Sequence, residues 1–160
     1  MEVSGEVTRE AWNYNLSDED LWGGSAHIWY RVGRTWSIGS EVLVLWVHQE
    51  RVASTPVAGF SIAVRREFPA PTVSYFVEWD GGLSYAARFV PQRGTRFNFV
   101  TEAAAGVIRP VGRDSHVVFS LRWLHLSNNG TAGRSRNPDI QALGFRVGVL
   151  VPLRRRSPTV

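Results

Sequence analysis

Apolar and polar residues alternate along most of this 160-residue chain. Over 115–127 the odd positions run Val117, Phe119, Leu121, Trp123, His125 and Ser127, against His116, Ser120 and Arg122 among the even ones. A period of two marks a β-strand, because successive side chains point to opposite faces. The pattern recurs as Leu143, Phe145, Val147, Val149 and Val151 against Ala142, Gly144, Arg146 and Gly148, and as Tyr75, Val77, Trp79, Leu83 and Tyr85 against Ser74, Glu78, Asp80 and Ser84. It returns in Phe97, Phe99 and Val107 against Asn98, Glu102 and Gly106. Turn-forming clusters at short intervals divide the chain into eight such stretches, predicting strands over 2–13, 24–36, 39–50, 56–67, 72–86, 95–109, 115–127 and 139–152.

The connections alternate in length. Those at Ile38–Gly39, Pro69–Pro71 and Pro110–Asp114 read as short, those at Asn15–Gly23, Ala87–Thr95 and Asn128–Pro138 as longer, with an intermediate stretch at Arg51–Thr55. Short turns at one end, longer loops at the other and an even strand count predict an all-β, eight-stranded antiparallel up-and-down barrel crossing a membrane. The faces discriminate between barrel types. A lipocalin-like soluble barrel puts bulky apolar groups inside and solvated charges outside, whereas here the polar face is mostly Gly, Ala and Ser with isolated Glu78, Asp80, Glu102, Arg122 and Arg146. Small residues and a few opposite charges fit a narrow packed lumen. The bulky face then meets lipid, with Trp36, Trp46, Trp79 and Trp123 as candidates for its interfacial girdles. The domain expectation is one barrel over 1–153 and an arginine-rich tail over 154–160.

Composition adds exclusions. No apolar run reaches the about 20 residues of a membrane helix, and the absence of cysteine removes disulfides, thiol catalysis and cysteine-based zinc sites. The start, MEVSGEVTRE, has neither the basic nor the apolar region of an export signal, so such a signal is expected to be missing from this chain. The formal net charge is +4. Every basic residue is arginine, a side chain suited to planar recognition of phosphate and carboxylate. These arginines are scattered among the strands without an aromatic-basic platform, so nucleic acid is not expected as a partner.

Candidate chemistry concentrates in RWLHLSNNGTAGRSRNPDI, residues 122–140. His125 and Ser127, two apart on one strand, share the lipid-directed face. An ionisable ring there is costly unless it has a partner and a use. Imidazole beside a hydroxyl is a base beside a nucleophile, and a carboxylate or amide must orient the ring. Asp139 and Gln141, on the same face at the start of the last strand, both offer one. Asn128, Asn129, Gly130 and Gly133 can supply amide donors to an oxyanion, and the same Asn-Asn-Gly is also ordinary turn chemistry.

RWLHLSNNG followed by RNPDI resembles the signature of the lipid A 3-O-deacylase (PagL-like) family of outer-membrane barrels. FVEWDGGL and FNFVTEAAAGV are similar to that family's preceding strands. The likeness covers roughly the second half of the chain. It implies that Ser127 is the nucleophile and His125 the general base, with Asn128, amides near Gly130, and Asn137 shaping the oxyanion site. Counting forward from His125 selects Asp139 as the acid, while aligning on Asn-Pro selects Gln141. Asp139 is the choice, because a carboxylate both orients imidazole and stabilises its cationic form.

The resemblance further implies hydrolysis of the ester-linked acyl chain at position 3 of lipid A in the bacterial outer membrane, with no metal or organic cofactor. Lipopolysaccharide and membrane lipid are then the partners, and homodimerisation stays open. Leu121, Trp123 and Phe145, with Phe119 and Leu143, are expected to line an acyl groove. Arg134 and Arg136, with Arg88, Arg93 and Arg96, gather at the long-loop end where lipid A phosphates lie. Two other readings keep parts of this picture: a non-catalytic structural or adhesion barrel, and a soluble ligand-binding barrel with its faces reversed.

Overall fold

The computed structural model describes residues 1–12 and 18–153. Eight strands, β1 (Glu2–Glu10), β2 (Glu19–Arg31), β3 (Trp36–Gln49), β4 (Thr55–Pro69), β5 (Ser74–Val90), β6 (Thr95–Pro110), β7 (His116–Ser127) and β8 (Ile140–Leu150), pair in chain order and close into an antiparallel barrel. The seam joins β1 to β8, from Glu2 opposite Leu150 to Glu10 opposite Ala142. At its short-turn end the Met1 amino group donates to the Val151 carbonyl at 2.7 Å. The expected arginine-rich tail, residues 154–160, and residues 13–17 of the first loop lie outside the described residues.

β5 runs on to Val90 through the start of an expected loop, β1 ends at Glu10 and not at 13, and two boundaries differ most from the sequence reading. The second strand runs from Glu19 to Arg31 rather than over 24–36, and Ile38–Gly39 is interior to β3 instead of forming a turn; the chain reverses at residues 32–35. The glycines mislead because their use here is close approach. Gly39 pairs with Trp29, and a Cβ on it would sit 2.7 Å from that indole, so the missing side chain lets the ring lie across the backbone. A Cβ on Gly23 would come within 2.0 Å of the Val44 carbonyl oxygen, as happens where a sheet bends sharply into a narrow barrel.

The faces fall as the alternation predicts. Phe119, Leu121, Leu143, Phe145, Val147, Tyr75, Val77 and Trp79 all point outward and are exposed, while Glu78, Asp80, Glu102, Arg122 and Arg146 are buried inside. A soluble barrel with an apolar lumen would show the reverse, so that reading falls: this is a transmembrane barrel whose wall is apolar. Trp36 opens β3 and Trp46 lies near its loop end, whereas Trp79 and Trp123 stand further inside their strands with ring centroids 6.2 Å apart.

The lumen is layered. Near the loops, Leu21, Leu43, Leu45, Val47, Val100, Leu126 and neighbours form a dry plug. Near the short turns, Phe76, Ile108 and Val118 form a smaller apolar cluster. Between them lies a charged layer much richer than the five residues read from the sequence, adding Glu2, Glu6, His27, Glu41 and Arg65. Arg65 bridges Glu2 at 2.8 Å and Glu78 at 2.5 Å, Arg146 pairs with Glu78, and Arg122 pairs with Glu6 and Glu102. Arg65–Glu78 and Arg122–Glu102 join neighbouring strands, whereas Arg65–Glu2, Arg146–Glu78 and Arg122–Glu6 join strands that do not pair, so each arginine reaches across the lumen. A buried charge is tolerated when it is paired in this way.

Candidate active site

At the loop end of β7, alternation brings His125 and Ser127 out onto the wall, with Trp123 below them. Trp123 and His125 stack at 5.8 Å with only 13° between their planes, which fixes the imidazole against the barrel. His125 Nε2 lies 3.0 Å from Ser127 Oγ. Its other nitrogen, Nδ1, faces Asp139 Oδ2 at 3.6 Å, a close ion-pair distance just beyond a hydrogen bond. With the carboxylate on the Nδ1 side, the proton of neutral imidazole belongs on Nδ1. Nε2 is then left to accept from the serine hydroxyl.

Gln141 stands opposite His125 in the β7–β8 register, and its Nε2 donates to Asp139 Oδ2 at 3.0 Å. The two residues weighed as alternatives for one position are therefore partners in one chain: Gln141 holds Asp139, and Asp139 faces His125. The serine is largely buried, at 7% exposure, while the His125 and Asp139 side chains are each 24% exposed, so the three line a shallow recess at the rim.

The following loop is built by its own side chains. Asn129 (φ 52°) and Gly130 (φ 74°) occupy the two central positions of a tight turn closed by the Thr131 amide on the Asn128 carbonyl at 3.0 Å. Two consecutive positive φ values are what Asn-Gly supplies cheaply. Asn128 braces the loop: its Oδ1 accepts from the Gly130 amide at 2.9 Å, its Nδ2 donates to the Arg136 carbonyl, and its backbone amide donates to Asn137 Oδ1 at 2.9 Å. Asn128, Gly130 and Asn137, expected around an oxyanion, thus bond to one another or to the loop. The amide aimed at the serine belongs to Asn129, which donates toward Ser127 Oγ at 3.4 Å. Sequence reading named Asn129 as one of four possible amide donors without saying which reaches the serine, since a backbone donor carries no side-chain signal.

Below the site, the outward residues of β6 are small. Ala103 pairs with Trp79 on one side and Trp123 on the other, and Ala105 lies between Val77 and Leu121. The result is an apolar groove of about 590 Å³ down the outer wall, lined by Val77, Ala103, Ala105, Leu121, Trp123 and Phe145 among others. The sequence reading anticipated its large walls, Leu121, Trp123 and Phe145. It missed the alanine floor.

The expected arginines do reach the loop end, with different attachments. Arg136 extends over the Phe89 ring at 5.4 Å and donates to the Gly94 carbonyl at 3.4 Å, and Arg96 lies over Tyr85 at 5.0 Å. Arg134 is placed by its backbone in the single 3-10 turn Arg134–Arg136. Asp20, near the start of β2, pairs on the outer face with Arg9 at 3.6 Å.

Comparison with known proteins bears on the family and the fold. The model of the lipid A 3-O-deacylase (PagL) family matches residues 7–149. Among solved structures, the outer membrane enzyme PagL superposes with a TM-score of 0.69 at 17% identity, covering 96% of this chain and 100% of that one. Neisserial surface protein A superposes with a TM-score of 0.70 at 10% identity, covering 95% of each chain. At such identities the likeness establishes the fold alone. No protein of curated function matches by sequence.

Proposed function

This chain belongs to the lipid A 3-O-deacylase (PagL) family, the outer-membrane lipid A deacylases, and from that premise we propose that it hydrolyses the 3-O-linked acyl chain of lipid A by a serine mechanism. The observation that carries the mechanism is the 3.0 Å approach of His125 Nε2 to Ser127 Oγ, with Asp139 on the ring's other nitrogen. His125 takes the serine proton as Oγ attacks the ester carbonyl. The Asn129 amide meets the oxyanion, and Asp139 stabilises the imidazolium that forms. Collapse expels the sugar alkoxide, which takes the proton from His125. Water then attacks the Ser127 acyl ester, losing a proton to His125, and collapse breaks the bond to Oγ and releases the fatty acid as His125 returns the proton to Oγ.

The outward position of the site supports a lipid substrate. An acyl chain already lies along the wall, and the groove beneath Ser127 accepts it without lifting it from the bilayer. Arg96 and Arg136, beside the recess, suit the phosphates of lipid A through planar, multidentate contacts. The regiochemistry is tested by mass spectrometry of lipid A incubated with the refolded barrel. Loss of one directly ester-linked 3-hydroxyacyl chain from position 3 supports the reading, and release of a secondary acyl chain instead overturns the regiochemistry.

Three substitutions probe the parts. Asp139→Ala is expected to lower kcat by about 10² to 10⁴-fold, and Gln141→Ala by about tenfold with little change in KM, because Gln141 acts only by holding the carboxylate. Equal losses from both, measured by fatty-acid release, would contradict this ordering. Ala105→Phe fills the groove floor. It is expected to reduce kcat/KM for long acyl chains by about tenfold while sparing short ones, read from competition between lipid A species of different chain length.

A further inference from the structure

The charged layer of the lumen does not balance. Glu2, Glu6, Glu41, Glu78, Asp80 and Glu102 put six carboxylates into it, against the three guanidiniums of Arg65, Arg122 and Arg146 and one imidazole, His27, among the described residues. Arginine pairing accounts for Glu2, Glu6, Glu78 and one oxygen of Glu102. Asp80 is different. It is 1% exposed, its Oδ1 has no hydrogen-bond partner, and no cationic group lies within ion-pairing distance of it among the described residues. A buried carboxylate left in this way costs several kcal/mol unless something positive meets it.

Asp80 stands directly opposite Glu102 in the β5–β6 register. One oxygen each from Glu41, Asp80 and Glu102 fall within 4.8 Å of one another, all buried. Each of these residues has an oxygen without a hydrogen bond: both on Glu41, Oδ1 on Asp80 and Oε1 on Glu102. Arg122 and Arg146 approach Glu41 only to 3.7 and 3.9 Å, beyond hydrogen-bonding reach, and His27 Nε2 stands 3.3 Å from its Oε1. Asp80 also lies within the same reach of His27 and Glu78, but Glu78 is already held by both Arg65 and Arg146. The all-oxygen trio is the better-prepared set.

We propose that Glu41, Asp80 and Glu102 form an internal site for a hard divalent cation, calcium being the best match to a flexible all-oxygen set. The ion fastens β3, β5 and β6 together from inside and removes most of the lumen's negative excess. It stands apart from the outer-wall site and takes no part in acyl transfer. Its route is from the short-turn side, because the apolar plug closes the loop end. There a vestibule of about 690 Å³, lined by Trp29, Ser37, Arg65 and His116 among others, opens onto the edge of the charged layer.

The test uses the full chain refolded in a zwitterionic detergent and stripped with a chelator. Terbium serves as the probe, with luminescence excited through tryptophan and calcium as competitor. Trp29 is the natural antenna: it stacks on His27 at 5.0 Å, and His27 Nε2 lies 3.3 Å from Glu41. One saturable, calcium-displaced site is expected, weakened at least tenfold by Asp80→Asn and unchanged by Asp20→Asn on the outer face. Should Asp80→Asn fail to refold, Glu102→Gln in its place must weaken terbium binding at least tenfold. Absence of saturable, calcium-competed binding overturns the proposal, as does binding indifferent to the carboxylate substitution made. In those cases the excess charge is met by protons.

Discussion

Ser127→Ala is expected to abolish acyl release, lowering the rate by about 10⁴-fold or more, while the barrel folds as before. The effect is large because the substitution removes the attacking atom itself, and the residue paired with Ser127 across the sheet, Phe99, carries no hydroxyl. Stability should be nearly untouched. Ser127 Oγ has one close partner, His125 Nε2, and one long approach from the Asn129 amide, and losing such bonds at a half-open rim costs about 1 kcal/mol. The measurement is mass spectrometry of lipid A alongside the heat-dependent gel shift of folded barrels. Substantial deacylation by a folded Ser127→Ala barrel would remove the serine mechanism and leave family membership intact. An inactive wild type, equally well folded, would instead favour a barrel without chemistry.

The second large effect lies in the lumen. Arg122→Leu is expected to destabilise the barrel by about 3–5 kcal/mol, because it strips Glu6 and Glu102 of a common partner and leaves their charges buried. Glu6 is on β1 and Glu102 on β6, so the loss is felt across the barrel and not in a single hairpin. The shift should appear as a lower urea midpoint for unfolding from detergent or lipid. Restoring the balance by also making Glu6→Gln and Glu102→Gln should recover part of it. A midpoint unchanged by Arg122→Leu would mean that protons or ions, and not this guanidinium, neutralise the two carboxylates.

The wall of this barrel was legible from the chain because a strand's period of two needs no tertiary information. Phe119, Leu121, Phe145 and Val147 declare their face by spacing alone. The inner layer was only partly legible. Glu78, Asp80, Glu102, Arg122 and Arg146 stood out as charges among small residues, whereas Glu2, Glu41 and Arg65 gained meaning only when closure brought remote strands together. Gly39 shows the opposite failure. Glycine usually punctuates a chain, and nothing local says that Trp29, ten residues earlier, will lie across it.

The site was legible in its residue types and less so in their relations. His125 and Ser127 follow from a two-residue spacing on one strand. Asp139 and Gln141 share that face for the same reason, but which one meets the imidazole depends on where β8 begins in the register. With Gln141 level with His125, the carboxylate falls two residues higher, at the level of Ser127, and the amide reaches it from below. The alanine floor of the groove escaped notice because small residues announce themselves only between large neighbours.

His125 and Ser127 face outward from the wall and not into the lumen, and this changes what concentration means for the reaction. Encounter takes place by lateral diffusion in a two-dimensional solvent, so the governing variable is the mole fraction of lipid A in the surrounding leaflet. Diluting the surface with inert lipid or detergent slows such a reaction even when the amount of substrate per volume is constant. The composition of the membrane itself thereby sets the pace of the chemistry.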